Sequence, residues 1–541
     1  MTNSSLDIFY ILYIFWIIEI TKAMFFWLYF WQLKEYHLKR FIDHFRTAKG
    51  KQLLRNPVRL VKMLLLVLAL FLPMLWPLLI IYVVQAAAFL AKKTYPKKPV
   101  FTTKMIILAL ANLTIFAAIL LYSSHLPESQ AIIALLLADI LLPLIVSGIV
   151  LLLQPIAVLF RQQIINQAKA KRAEFKNLTV VGITGSYGKT SCKEFLATIL
   201  SEKFKVAKTA EHQNSEIAIA RCVLNELKPD HQVFICEMGA YDKGKVKEVS
   251  GIAKPKIGIV TGVNEQHLAL FGSMENLLSA EGGEELIESL PKDGLIIFNG
   301  NNKYCLEMYR KTEKPKKIYQ IPDTRYQILD TKADIWAEDI IIEKDCVRFK
   351  AVAREGETAD FQVNVLGSHN ILNLLGAILV AKELGMTLEE ISKACQKITS
   401  DQGAMKLKKG SGGVDVIDSG YSANPDGVLA ALEHLKLWSC QKVIIMPCLI
   451  ELGPAAKEAH QKIGKKIGEI CDLAIITTKD WFEELRKAAI GAGMNPENII
   501  FLENPKEIFE KTNSICQPES IILLEGGLPQ KLKELKKLLK I

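Results

Sequence analysis

No cysteine precedes residue 192, and the ten that follow are scattered, with no C-x-x-C pair and no Cys/His cluster at zinc spacing. That excludes a disulfide framework and a structural metal site, and it fits reduced thiols in the cytosol. Acids are scarce at the same end. Residues 1–177 hold 7 Asp+Glu against 20 Lys+Arg, while the remainder holds 50 against 47, so the whole net charge of +10 arises in the N-terminal third. Basic residues there are interleaved with apolar ones, which points to lipid headgroups as the partner and away from nucleic acid. The first apolar run also lacks a small-residue cleavage site, so it is not read as a removable signal peptide.

Apolar runs cover about Ile8 to Trp31, Met63 to Ala91, Met105 to Tyr122 and Ala131 to Phe160, each near or above the ~20 residues that cross a bilayer. These predict a multi-pass membrane domain over 1–176, with Glu19 and Lys22 paired on one helical face. Segments 34–62, 92–104 and 161–176 carry nine, five and five Lys+Arg and Ser123 to Gln130 carries none, so the first three are expected in the cytoplasm and the last outside. Two successive basic loops then flank Met63 to Ala91. That run either spans against the rule or enters and returns, and Pro73 and Pro77 near its centre suit a broken hairpin. Asp139 is either a functional intramembrane acid or one held by a structural partner.

Beyond the apolar third, Leu178 to Lys193 reads LTVVGITGSYGKTSCK. A β-rich run stops at a glycine turn and a helical pattern follows. Gly185, Gly188, Lys189 and Thr190 sit in the turn, where bare backbone N–H groups and a helix N-terminus can cradle phosphate, lysine can reach terminal oxygens and the threonine hydroxyl can hold Mg²⁺. The usual P-loop pattern has glycine where Ile183 stands, so this is a shortened variant. Short β runs then alternate with helices, as in a parallel α/β sheet. Val233 to Glu237 ends in an acid, and Lys256 to Thr261 is followed by Val263-Asn264-Glu265-Gln266-His267. Ligands collect at strand C-termini in such sheets, so Glu237 and His267 are placed to face the loop; a cap and a satisfied core histidine are the plain alternatives.

The set TGSYGKTS, EMGAYDKGKV, VTGVNEQHLALFGS, GSHNILN, SANP and IELG, in this order over residues 178–541, resembles the Mur ligase family, closest to its MurF type. The resemblance implies an ATP-dependent amide ligase that works through an acyl phosphate, with a P-loop central domain over 177–402 and a C-terminal Rossmann-like domain over 403–541. It implies that Gly185, Ser186, Tyr187, Gly188, Lys189, Thr190 and Ser191 hold ATP, that Thr190 and Glu237 ligate one Mg²⁺, and that His267 ligates a second. His369, Asn370 and Asn373 resemble the adenine-side motif, although Ser368 or Asn370 could cap a helix there, and Asn299 resembles another nucleotide contact. Asp418, Asn424, Glu451 and His460 are the substrate-side candidates; Glu451 could equally serve only to position the next helix.

Departures from the family pattern matter as much. Counting from Gly272-Ser273, the carbamylated lysine of the family falls on Glu281, whose carboxylate could replace the modification; a surface helical acid is the alternative. The expected arginine after Gly403 is Ala404, the second acid of a D-D-S-Y-N-A-N-P motif is Ser419, and a K-G-S-R-like run appears as Glu525-Gly526-Gly527-Leu528. Basic groups and one acid are missing, so ATP binding is still expected and the acceptor is in question. The C-terminal segment reads as five strands at Val414 to Asp418, Lys442 to Met446, Leu473 to Thr477, Ile499 to Leu502 and Ile521 to Leu524. The whole is expected to be a membrane-anchored ligase on the cytoplasmic face, taking ATP, a cell-wall precursor and an amino acid or dipeptide. The family's small uridine-diphosphate-recognising domain is not seen ahead of the loop; the membrane module stands there. A catalytically weak scaffold and a transport ATPase are the rival readings, the latter without an L-S-G-G-Q-like signature.

Overall fold

A computed structural model describes residues 3–541 apart from 46, 56, 73–74, 92–97, 212, 323–332, 404, 421–422, 527–532 and 541. Pro73, Ala404 and Leu528 therefore lie outside the described residues. The chain forms two compact units, Met1–Gln163 and Ile164–Ile541.

In the first unit apolar sequence becomes helix. Ile8–Leu33, Thr103–Ser124 and Glu128–Glu174 are long and apolar enough to cross a membrane. The Met63 to Ala91 run does not form one helix: it breaks into Pro57–Leu68 and Leu75–Ala91, of 12 and 17 residues. At 1.5 Å per residue these are about 18 and 26 Å long, short of a ~30 Å hydrocarbon core. Pro77 lies in the first turn of the second helix, where its missing N–H leaves no hydrogen bond unmade. Several polar groups facing inward are matched to partners. Trp16 Nε1 donates to the Leu135 carbonyl at 3.1 Å and Trp31 Nε1 to Ser147 Oγ at 2.9 Å. Glu19 pairs with Lys22. Asp139 has a structural partner after all, accepting from Lys62 at 2.5 Å and from the Tyr82 hydroxyl at 2.8 Å.

The second unit opens on the last turns of Glu128–Glu174, where buried Arg172 donates to the carbonyls of Ala253, Phe175 and Leu178. A nine-stranded sheet follows, built from β1 (Thr179–Thr184), β2 (Val206–Lys208), β3 (Val233–Glu237), β4 (Ile257–Val260), β5 (Leu295–Asn299), β6 (Lys316–Gln320), β7 (Ile335–Ile342), β8 (Val347–Ala353) and β9 (Thr358–Val363). Its order is β2-β3-β1-β4-β5-β6-β7-β8-β9. The first seven run parallel, as the alternating sequence implies. β8 pairs antiparallel with β7 and with β9, an extension the parallel pattern does not announce. Val181 and Ile183 face one core with the helices Lys189–Leu200 and His369–Glu383, while Val180 faces the other, the period of two that buries a sheet on both sides.

The C-terminal sheet comprises β10 (Lys406–Lys409), β11 (Asp415–Ser419), β12 (Lys442–Met446), β13 (Leu473–Ile476), β14 (Ile499–Phe501) and β15 (Ile521–Glu525), ordered β10-β11-β15-β12-β13-β14. It has six strands where the sequence suggests five. The extra one, Lys-Leu-Lys-Lys, pairs antiparallel with β11 at the edge; an edge strand needs no continuous apolar run, and lysines there are usual.

Candidate active site

Strand order places a switch point at β1, with β3 on one side and β4 on the other, so the loops after all three strands meet. The phosphate loop follows β1. Gly185 has φ +139°, and a Cβ there would stand 2.3 Å from Thr261 Oγ1; at Gly188, φ +78°, it would stand 2.4 Å from Asn373 Oδ1. Both glycines are thus demanded by close neighbours. Thr261 donates to the Tyr187 carbonyl, Ser186 N–H donates to the Gly262 carbonyl at 2.7 Å, and Asn302 donates to the Tyr187 hydroxyl at 3.2 Å. No side chain caps the helix Lys189–Leu200, whose N-terminus opens from the loop. The Lys189 ammonium folds back onto the carbonyls of Gly185 and Ser186. Ser191 is buried in the first turn of that helix.

Glu237 ends β3 and is 2 % exposed. Its Oε1 accepts from Thr190 Oγ1 at 3.2 Å and Asn214 Nδ2 at 3.1 Å. Its Oε2 lies 3.2 Å from Lys193 Nζ, without a hydrogen bond. Glu281 follows the short helix Met274–Ala280 and is also 2 % exposed, so it is no surface acid. Ser186 Oγ donates to Glu281 Oε2 at 2.7 Å, and His267 Nδ1 stands 2.9 Å from Oε1. Burial pushes this carboxyl up, but the His267 ring, the Lys189 charge and the Ser186 hydroxyl outweigh it and hold it below the ordinary glutamate range. Mg²⁺ takes oxygen ligands, and two buried carboxylates flanking one loop, one with an oxygen lacking a hydrogen bond, fit such an ion.

On the far side of the loop, Asn373 donates to Asn370 Oδ1 at 3.1 Å and Asn370 donates to the Leu366 carbonyl at 2.8 Å. Neither Ser368 nor Asn370 caps the helix His369–Glu383 with its side chain, contrary to the capping expectation. His369 Nδ1 is buried without a partner, and burial with His434 nearby pulls its pKa down to about 4. Asn299 spends its amide internally: it donates to the Thr261 carbonyl at 2.7 Å and accepts from Asn301 N–H.

The substrate-side candidates divide. Asn424 reaches the loop through Asn264, whose amide donates to Asn424 Oδ1 at 3.2 Å and whose N–H donates to Ser186 Oγ at 3.2 Å. The Glu451 carbonyl, at φ +66°, accepts from Ala269 N–H, two residues past His267. Asp418 is instead clamped between Lys536 at 2.6 Å and Lys408 at 3.1 Å. His460 is fully buried, with Nε2 accepting from Leu449 N–H and Nδ1 donating to the Ala456 carbonyl, so both nitrogens are taken within the fold.

Sequence reasoning misses Lys193, Asn214 and Asp426, and quotes Asn264 and Glu525 within motifs without giving either a place in the site. Lys193 stands one turn past Lys189 on the same helix, a spacing that could have flagged it. Asp426 accepts from Asn264 Nδ2 at 2.8 Å, and burial raises its pKa despite that bond. Glu525 ends β15 opposite Ser419; burial pushes it up to about 8, the Ser419 hydroxyl pulls only weakly the other way, and its Oε2 has no partner.

Residues 183–381 match the Mur ligase middle domain and residues 405–528 the Mur ligase glutamate ligase domain, together more than half of the chain. The chain belongs to the Mur ligase family. Among curated relatives, the UDP-N-acetylmuramoyl-tripeptide–D-alanyl-D-alanine ligase of Bacillus subtilis is 26% identical over 291 residues, covering 53% of this chain and 60% of its own length. That of Mycobacterium leprae is 29% identical over 385 residues, covering 66% and 73%. The chain spans about 60% of the first of these relatives. Among solved structures, MurF of Acinetobacter baumannii aligns at TM-score 0.61 and 23% identity over 70% of this chain and 81% of that one. MurF ligase of Thermotoga maritima, in complex with ADP, aligns at 0.58 and 20% over 70% and 84%. These structures share the fold of this Mur ligase.

Proposed function

We propose that this chain is an ATP-dependent carbon–nitrogen ligase of the MurF type, acting on a cell-wall precursor at the cytoplasmic face of the membrane. The observation that carries the reading is Glu281, buried against both Ser186 of the loop and His267. A carboxylate held ionised there, with Thr190 and Glu237 opposite, supplies oxygens for Mg²⁺, which would neutralise charge on the phosphates. Lys189 would leave the Gly185 carbonyl for the terminal phosphate, and the uncapped helix N-terminus and loop N–H groups would hold the phosphate oxygens. A substrate carboxylate takes the phosphoryl group, forming an acyl phosphate and ADP. An amine then attacks the acyl carbon, and the C–O bond to phosphate breaks. Asn264 and Asn424 would position the acceptor beside the loop.

ADP and phosphate release by the purified full chain, measured with a soluble uridine-diphosphate precursor or a lipid-linked one plus D-alanyl-D-alanine, tests this. Stimulation by either acceptor is expected, and its absence with both sinks the reading. A catalytically weak scaffold is the second reading, favoured by one observation: Ser419 and Glu525 replace the acid and the base of the family pattern at neighbouring strand ends. The membrane assignment rests on the three long apolar helices and the basic segments. Single cysteines introduced at 123–130 should be labelled from outside intact cells, and those at 34–62 should not.

A further inference from the structure

Four helices of the first unit, Asn3–Leu33, Pro57–Leu68, Leu75–Ala91 and Glu128–Glu174, with Leu53 of a fifth, Ala48–Leu54, contribute walls to a cavity of about 240 Å³. Ionisable and amide groups reach it from all four: Glu19, Lys22, Arg59, Lys62, Gln85 and Asp139. Such groups among apolar helices are costly and mark function unless they compensate one another. Two pairs do so here. Glu19 is matched by Lys22 and accepts from Gln85, and Asp139 is matched by Lys62 and Tyr82. Arg59 remains. It stands one turn before Lys62 on the same helix and makes no hydrogen bond or ion pair with any described residue, so the lining carries three cations against two anions. Gln85 Oε1 is also buried without a hydrogen-bond partner. The other walls are apolar, with Phe26 and Trp27 among them.

An unmatched guanidinium in a cavity set among apolar helices calls for an anion, and its fork fits two oxygens of a phosphate. The surplus of one positive charge is balanced by a phosphodiester; a monoester near −2 would overcompensate it, and a zwitterionic headgroup would bring its own cation against Arg59. Arg59 and Lys62 also close the most basic segment of the chain, 34–62, beside an apolar run, where anionic headgroups gather.

We propose that this cavity binds the phosphodiester headgroup of an anionic membrane lipid, with Arg59 as its principal contact. The proposal is independent of the ligase reading and survives its failure. The full chain, purified from mixed phosphatidylglycerol and phosphatidylcholine vesicles, is examined by native mass spectrometry for retained lipid. The wild type should retain phosphatidylglycerol about tenfold over phosphatidylcholine, Arg59→Gln should lose that preference, and Arg59→Lys should keep part of it. Equal retention of the two lipids by the wild type, or an unchanged preference in Arg59→Gln, overturns the proposal. Millimolar inorganic phosphate that strips the bound lipid also overturns it, by making the site one for a free anion. Should Arg59→Gln fail to fold, Gln85→Leu takes its place: weakened retention is expected, and retention equal to the wild type counts against the site.

Discussion

Glu281, just past the helix Met274–Ala280, and Glu525, at the end of β15, are both buried carboxyls, 2 % and 1 % exposed, yet they are driven in opposite directions. Burial raises both. Around Glu281 an imidazole, an ammonium and a hydroxyl reverse the effect; around Glu525 the Ser419 hydroxyl and the Gly526 N–H, both uncharged, do not. The loop site of the central sheet therefore holds an ionised carboxylate, and the strand ends of the C-terminal sheet present a carboxyl that keeps its proton at neutral pH and can donate as well as accept. An acid in a sequence is a position, and its charge is a property of its neighbours.

The contrast can be broken first at the loop. Lys189→Ala should abolish turnover, a fall of a thousandfold or more expected when a charge acting on the transferring phosphoryl group is lost, while circular dichroism stays unchanged; undiminished product formation would end the ligase reading. Glu281→Gln keeps the shape without the charge and should lower the rate about a hundredfold, with a higher Mg²⁺ requirement. If its rate at low Mg²⁺ matches the wild type, the two carboxyls do not differ in function.

Glu525 sharpens the contrast through pH. Its folded pKa of about 8 lies above the usual 4.5, so between these values the folded chain holds a proton that the unfolded chain releases. Stability is then full below pH 4.5 and falls as pH rises towards 8, by up to about 1.4 kcal/mol per unit. Glu525→Gln should flatten that slope in chemical denaturation from pH 5 to 8, and a slope that persists places the titration elsewhere. The smallest effect is expected at Asp418, whose carboxyl is raised by burial but brought low by Lys536 and Lys408. Lys536→Gln leaves Lys408 in place and should cost no more than about 1 kcal/mol in the denaturation midpoint; a larger loss would mean that the clamp orders the strand ends around it.

The phosphate loop was legible because its glycines, lysine and threonine lie together in sequence, between a strand and a helix. Glu237 was legible as a strand-ending acid. Glu281 could be located only by counting from a motif, and its burial by Ser186 and His267 brings together residues 95 and 14 positions away. Lys193 was hidden because a lysine on a helix ordinarily reads as solvated; here it is fully buried against Glu237. His460 is the converse case: a histidine near a motif looks chemical in sequence, and its two nitrogens are occupied by backbone groups in the fold. β10 was missed because three of its four residues are lysine, and the antiparallel β7–β9 extension because strand direction is set by pairing that no local pattern records. The break between Pro57–Leu68 and Leu75–Ala91 was foreshadowed by its prolines.

Glu281 also bears on when the protein becomes ready to work. A lysine that must be carbamylated leaves the ribosome unfinished and waits on dissolved carbon dioxide, so the competent share of such molecules follows the gas content of their surroundings. A glutamate comes with the gene. If Glu281 takes that lysine's place, the site should be mature as soon as Ser186 and His267 close around it in the folded chain, and turnover measured with bicarbonate removed should be unchanged.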